Sequence, residues 1–278
     1  ATKTINWFKG AMENFKAEIE TFSNFPSLFL GAVNEKGELD LYDGKLRFVD
    51  AEGNIIVDQI DPNDYPKYIG ESTEDFSYLK SPYFLPHGYP QGVYRVGPLA
   101  RLNAAESMGT PIAEKEFVEW RQRFPGCCLS SFYFHYARLI EIIHGLEHIQ
   151  RLLESPDILD TFVRARARPN RLEGVGIAEA PRGTLIHHYK IDRNGLVTWA
   201  NLIIATGHNN LAINRGILQV AERFVDGAKL TEGALNRCEA VIRAFDPCLS
   251  CSSHALGQMP IQVELHSAQG EILDAIQR

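Results

Sequence analysis

Between Gly31 and Ile60 the chain reads GAVNEKGELDLYDGKLRFVDAEGNIIVDQI, where short apolar runs alternate with three glycine-bearing turns, Lys36-Gly37, Asp43-Gly44 and Glu52-Gly53. This punctuation sends the chain back on itself repeatedly, so residues 21–60 are expected to form an antiparallel β meander. The next stretch, residues 61–110, is rich in Pro, Gly and Tyr and is expected to be an ordered but irregular crossing segment. Residues 4–20 read as helix, and further helices are expected over 113–124, 130–154, 211–225 and 231–245. The helix over 130–154 carries Leu139, Ile143, Leu146, Ile149 and Leu153 at helical spacing, which reads as a core stripe. A second short meander is expected around TLIHHYKIDRNGLVTWANLII, with Asn194-Gly195 as its turn. Thr231 is placed to cap the last helix, and Pro247 ends it, because proline disfavours helix at the residue before it and has no N–H. The fold class is therefore α+β, predominantly helical, with short antiparallel meanders and no internal repeat.

With 45% apolar and 23% charged residues, a chain of 278 residues can bury the core of one or two domains. The net charge of −7, with Lys and Arg scattered, argues against nucleic-acid binding. No apolar run approaches the roughly 20 residues of a membrane span, and the opening ATKTINWFKGAMENFK has no secretory h-region, so a cytoplasmic protein is expected. Five cysteines are an odd number, and Cys127 and Cys128 are adjacent, a poor arrangement for a disulfide framework. Their chemistry is then ligation or packing. Cys127, Cys128 and Cys238 read as small buried residues.

Cys248 and Cys251 stand two residues apart directly after Pro247, and His254 follows at the same spacing. A lone C-x-x-C suits zinc, an iron-sulfur cluster, a redox dithiol or nothing at all. No second C-x-x-C exists in the chain, so a four-thiolate zinc site cannot be assembled from conventional pairs.

The longer string DPCLSCSSHALGQM resembles the C-terminal D-P-C-x-x-C-x-x-H motif of nickel-iron hydrogenase large subunits. YRVGPLARLN (94–103), EGVGIAEAPRGTLIHHYKID (173–192) and NLIIATGHNN (201–210) resemble further segments of that family, in the same order. The likeness runs over essentially the whole chain and is strongest to the cytoplasmic, bidirectional, NAD-linked type. It implies that Cys248 is a terminal nickel ligand and Cys251 a bridge between nickel and an iron that carries cyanide and carbon monoxide. Soft thiolates suit that task. The resemblance places Arg182, in APRG beside Pro181, over the centre, where its planar fork can donate to cyanide. Thr206, next to Ala205, matches a hydroxyl donor to the other cyanide. His254 and the backbone carbonyl of Leu202 match magnesium ligands, although magnesium prefers oxygen donors to imidazole. The implied partners are a small iron-sulfur subunit, flavin-bearing diaphorase subunits that exchange electrons with NAD, nickel-insertion chaperones and a maturation endopeptidase.

One departure from the family pattern is large. The R-x-C-G-x-C motif that supplies two further nickel thiolates has no counterpart here, and Cys127-Cys128 has the wrong spacing. The chain is expected to be the C-terminal part of a large subunit, slightly more than half, with the N-terminal part as its partner, and to be inactive alone. Residues 255–278 are expected to be a maturation extension, in which IQVEL and EILDAI flank HSAQG as a hairpin. The competing reading is a metal-free structural homologue in a respiratory-complex-like assembly, for which Cys248, Cys251 and His254 have no chemical use. Glu141, His144 and His148 share one helix, but a di-metal site needs matching ligands on facing helices, so they read as a hydrogen-bonded or solvated face. His187 and His188 alternate across a strand and read as one inward, hydrogen-bonded imidazole and one outward. Glu179, three residues before Arg182, is a candidate to orient it.

Overall fold

The computed structural model describes residues 2–164, 169–249 and 262–277. The expected N-terminal helix is broken at Phe15 into α1 (Thr2–Asn14) and α2 (Lys16–Ile19). The glycine turns then deliver β1 (Leu28–Val33), β2 (Lys45–Val49) and β3 (Ile55–Ile60), an antiparallel meander. Gly37 and Gly53 both lie at positive φ, which a glycine adopts without steric cost.

The segment expected to be irregular holds regular structure. β4 (Ile69–Ser72) and β5 (Ser81–Phe84) form a hairpin, and β6 (Tyr94–Arg95) adds to β1 as a parallel edge, giving the sheet order β3-β2-β1-β6. Helix α3 (Pro98–Ala104) follows, with Pro98 at its start, where the missing N–H costs nothing. Next come α4 (Pro111–Arg123) and α5 (Phe134–Leu153).

Residues 111–254, expected from the sequence to be a helical region, are not purely helical, because the second meander is larger than expected. EGVGIAEA is itself a strand, so β7 (Glu173–Ala180), β8 (Gly183–Ile191) and β9 (Val197–Ile203) form a three-stranded antiparallel sheet. A short helix α6 (Ala205–His208) leads into α7 (Asn210–Phe224) and α8 (Glu232–Phe245), which pack together. Thr231 caps α8 by accepting a hydrogen bond from the Ala234 N–H at 3.2 Å. Finally β10 (Gln262–His266) and β11 (Ile272–Gln277) pair as the hairpin expected of IQVEL and EILDAI. Among the described residues no helix is long and apolar enough to cross a membrane.

Two apolar cores organise the chain. The larger joins α1, α3, α4, α5, α7 and α8 around Phe29, Leu99, Trp120, Phe134 and Phe245; the smaller lies between the two larger sheets around Leu30, Phe48, Phe84, Tyr94 and Ile186. The segment Tyr94–Ala104 contributes to both, so it sits where the two cores meet.

Candidate functional site

The four family-like strings converge at that junction. β7 and β8 are joined by a two-residue turn, Pro181-Arg182, closed by the Ala180–Gly183 pair. The turn lies directly on Val96-Gly97: a Cβ on Gly97 would come within 2.7 Å of the Arg182 carbonyl oxygen, so only glycine permits this approach. Gly183, at φ +136°, is equally crowded against Val96. Asn209 fixes the other side of the strip, accepting from the Val96 N–H at 2.9 Å and donating to its carbonyl at 3.3 Å. Tyr94 and His208 are hydrogen-bonded to each other inside the protein.

Beneath the turn, Arg101 of α3 is fully buried and engages two carboxylates. Its guanidinium takes Glu141 bidentately, at 2.6 and 2.7 Å, and reaches Glu179 at 2.7 Å. It also donates to the carbonyls of Ala180 at 2.8 Å and Pro181 at 3.3 Å. Burial pulls the guanidinium pKa down, but Glu141 and Glu179 outweigh it and keep the group charged. Glu179 further accepts from Thr184 Oγ1 at 2.8 Å and the Ala32 N–H at 3.2 Å. Glu179 is therefore the partner of Arg101, not of Arg182: strand β7 sends it inward, whereas Arg182 lies in the turn beyond.

Arg182 pairs instead with Asp246. Its Nε donates to the Asp246 carbonyl at 2.7 Å and lies 3.2 Å from a carboxylate oxygen; Nη2 is 3.4 Å from the other. Asp246 ends α8 in the left-handed region, at φ +51°. Aspartate tolerates that conformation better than most residues, and the turn it makes, followed by Pro247, directs the chain to Cys248. The Cys248 N–H then donates to Thr206 Oγ1 at 2.9 Å. Arg182, Thr206 and Cys248 are thus brought together by direct bonds through Asp246 and the backbone. Ala205 and Thr206 are buried; Pro181 is exposed in its turn. Leu202 lies on β9 three residues before Ala205, paired with His187 and 39% exposed. Cys251 and His254 lie outside the described residues.

His144, His187 and His188 are each within hydrogen-bond distance of a neighbouring side chain. His188 is inward, bonded to Tyr65 at 3.1 Å and Glu173 at 2.8 Å; His187, outward, meets Tyr189 at 3.3 Å. His144 is buried against Thr110 at 3.1 Å, and Glu141 is spent on Arg101. No cluster of three metal-ligating side chains exists among the described residues. Cys128 is buried, Cys127 and Cys238 half-buried, and burial raises all three thiol pKa values, that of Cys127 to about 12.

Arg101, Asp246 and Asn209 carry the arrangement, and none of the three stands out in the sequence as a functional residue. All three fall inside the family-like strings, which is the available signal.

A family model of nickel-dependent hydrogenases matches residues 17–254, and the chain belongs to that family. It is 40% identical over 266 residues to the NAD-reducing hydrogenase HoxS subunit beta of Cupriavidus necator, covering 94% of this chain and 54% of the relative. It is 42% identical over 275 residues to a subunit of the vhc F420-non-reducing hydrogenase of Methanococcus voltae, covering 97% and 58%. The fold matches an NAD+-reducing nickel-iron hydrogenase in the H2-reduced state with TM-score 0.86 and 39% identity, over 91% of this chain and 56% of that one. The chain thus spans little more than half the length of these relatives.

Proposed function

We propose that these residues are the C-terminal part of a nickel-iron hydrogenase large subunit that, when complete, cleaves and forms H2 heterolytically. Electrons pass through a small iron-sulfur subunit, then through flavin-bearing diaphorase subunits, to and from NAD. The observation that carries this reading is the bonded sequence Arg182–Asp246–Pro247–Cys248–Thr206, drawn from three separate family-like strings. NAD as acceptor rests on the likeness to the NAD-reducing relative and structure; the Methanococcus relative is named only as not reducing F420.

The donors present fit the group. Cys248 brings a sulfur, half-buried at the end of a rigid turn, that is in a disulfide in this structure and on reduction would supply a soft thiolate. Thr206 accepts the Cys248 N–H and so keeps its own hydroxyl proton to donate outward. Arg182 spends Nε and Nη2 on Asp246, while Nη1 has no partner among the described residues and remains free to donate. When bound, the nickel-iron centre, with cyanide and carbon monoxide on iron, supplies the metals at which H2 is split. Cys248 would hold nickel at a terminal position and Cys251 bridge to iron. Arg182 and Thr206 would donate hydrogen bonds to the cyanides, held in place by Asp246, Pro181 and Ala205. His254 and the Leu202 carbonyl would hold magnesium. Two thiolates are half of the nickel set, so the chain alone is inactive and the rest of the large subunit is its first partner. A cytoplasmic location goes with this reading.

The test is a set of three substitutions in the complete enzyme, with metal analysis beside hydrogen-dependent NAD reduction. Cys248→Ser or Cys251→Ser should remove both nickel and turnover, because a hard hydroxyl replaces a soft thiolate. Arg182→Lys should retain the metals and lose most turnover, since an ammonium cannot reproduce the planar fork. Full nickel and full rate in the cysteine variants would sink the assignment.

A further inference from the structure

Helix α5 is apolar on two opposite faces, and only one of them is covered. Ala137, Ile140, Ile143 and the His144 ring are buried against the core. On the other side Ile142, Leu146, Ile149 and Leu153 are 48%, 53%, 53% and 66% exposed. Their spacing of four, three and four residues is that of a helix-packing seam. Gly145 lies within it, and a Cβ there would meet no atom within 4 Å, so another backbone can approach closely. A helix with two apolar faces is stable when both are covered. The bare surface continues beyond α5 through Leu159, Phe162 and Val163.

We propose that this outer face of α5 seats a helix from the part of the large subunit that lies outside these residues, upstream of α1. The inference rests on the large-subunit reading above. The path of α1 supports it. Glu13 pairs with Arg123 at the end of α4, and Lys9 pairs with Glu116 two turns earlier, so α1 runs parallel to α4. α4 runs antiparallel to α5, because Ile112 and Ala113 donate to Glu147 while Trp120 packs on Tyr136. α1 therefore runs antiparallel to α5. Phe8 of α1 meets His135, two turns before Ile142 on the same outer face, so α1 reaches the first turns of that face. The Thr2 end of α1 points toward Leu146, where the face is bare, and residues that precede α1 in a longer chain enter there.

The missing length is ample. The relatives are nearly twice as long as the matched part, and a helix of about 12 residues, rising 1.5 Å per residue, spans the seam from Ile142 to Leu153. At the same end of α5 that α1 reaches, Arg138, on the same face, donates to the Ala244 carbonyl at 3.1 Å, two residues before Asp246. A helix seated on the seam thus has one end close both to the entry of α1 and to the Cys248 turn. Its chemistry is set by the face: Leu, Ile or Val at four-three spacing, with small residues opposite Gly145.

The test uses Leu146→Cys and Ile149→Cys, placed on the exposed face, with thiol-labelling rates at the new cysteines read by peptide mass and referred to the same variant in urea. In the 278-residue chain both cysteines should label freely. In the complete large subunit, dilute and without its small subunit, both should label about 100-fold more slowly, as protected positions do. Unchanged labelling in the complete subunit overturns the proposal. So does protection of the 278-residue chain that grows with its concentration, which would make the occupant a second copy, or protection that appears only on adding the small subunit. Nickel is measured on the same preparations. A nickel-loaded subunit with exposed seam cysteines defeats the docking alone, whereas protected cysteines in a subunit that never takes nickel defeat the hydrogenase reading alone.

Discussion

Arg101 has five N–H donors and gives all five to acceptors: two to Glu141, one to Glu179, and one each to the Ala180 and Pro181 carbonyls. That full commitment fixes the turn carrying Arg182 against α3 and α5. Arg101→Met leaves Glu141 and Glu179 without their cation, and removing one partner of a buried ion network costs about 3–5 kcal/mol. Urea unfolding of the 278-residue chain should show that loss; a loss under about 1 kcal/mol would mean that the network contributes as little as a surface pair. The cysteines are legible in the sequence because two thiols at that spacing are unusual chemistry, and Arg182 is legible only through the family-like string that holds it. Arg101 is not, because a lone arginine in a helix reads as surface until the fold shows what surrounds it. Proximity in sequence points Glu179 toward Arg182, and the β7–β8 turn overrides it.

At the scale of elements, α7 and α8 are readable because each has one apolar face, and Pro247 marks where α8 stops. The hairpin β4–β5 is hidden among prolines and tyrosines, since its strands are four residues each and lack clean alternation. In α5 periodicity shows a stripe but not which half of it is covered: Ile143 is core, while Leu146, Ile149 and Leu153 are not. The β10–β11 hairpin lies across α7 and α8, with Val263, Leu265 and Ile276 facing Ile217, Leu235 and Ile242 around a cavity of about 560 Å³. Asp274 accepts from the Leu230 N–H at 2.7 Å. Such loose seating suits a segment that is later removed. Residues 255–278 should therefore be absent from the mature large subunit: intact mass from nickel-fed cells should correspond to a chain ending at His254, and from nickel-starved cells to a chain that still carries residues 255–278. An active, metal-loaded enzyme that still carries residues 255–278 would contradict this.

Across the whole molecule, the site exists only because two cores meet at Tyr94–Ala104, and strings far apart in sequence close on that junction. Their order along the chain is legible; their bonds to one another are not, since nothing local encodes the approach of Arg182 to Asp246. The same compactness predicts acid sensitivity. Burial lowers the pKa of His135 and His144 to about 4 and of His208 to about 3, from an ordinary 6.5. Below pH 6.5 the unfolded chain takes up protons that these buried imidazoles refuse, so stability is full above that pH and declines as pH falls toward 4. Each histidine contributes a slope of up to about 1.4 kcal/mol per pH unit. The urea midpoint should therefore be clearly lower at an acidic pH near 5 than above neutrality, and an unchanged midpoint would show these rings to be solvated. Whether Cys248 at the end of this turn binds nickel is read by nickel-edge X-ray absorption on the complete large subunit. The native protein should show a sulfur shell around nickel that loses a scatterer, or nickel itself, in Cys248→Ser; an unchanged nickel content with an unchanged sulfur shell would contradict the account.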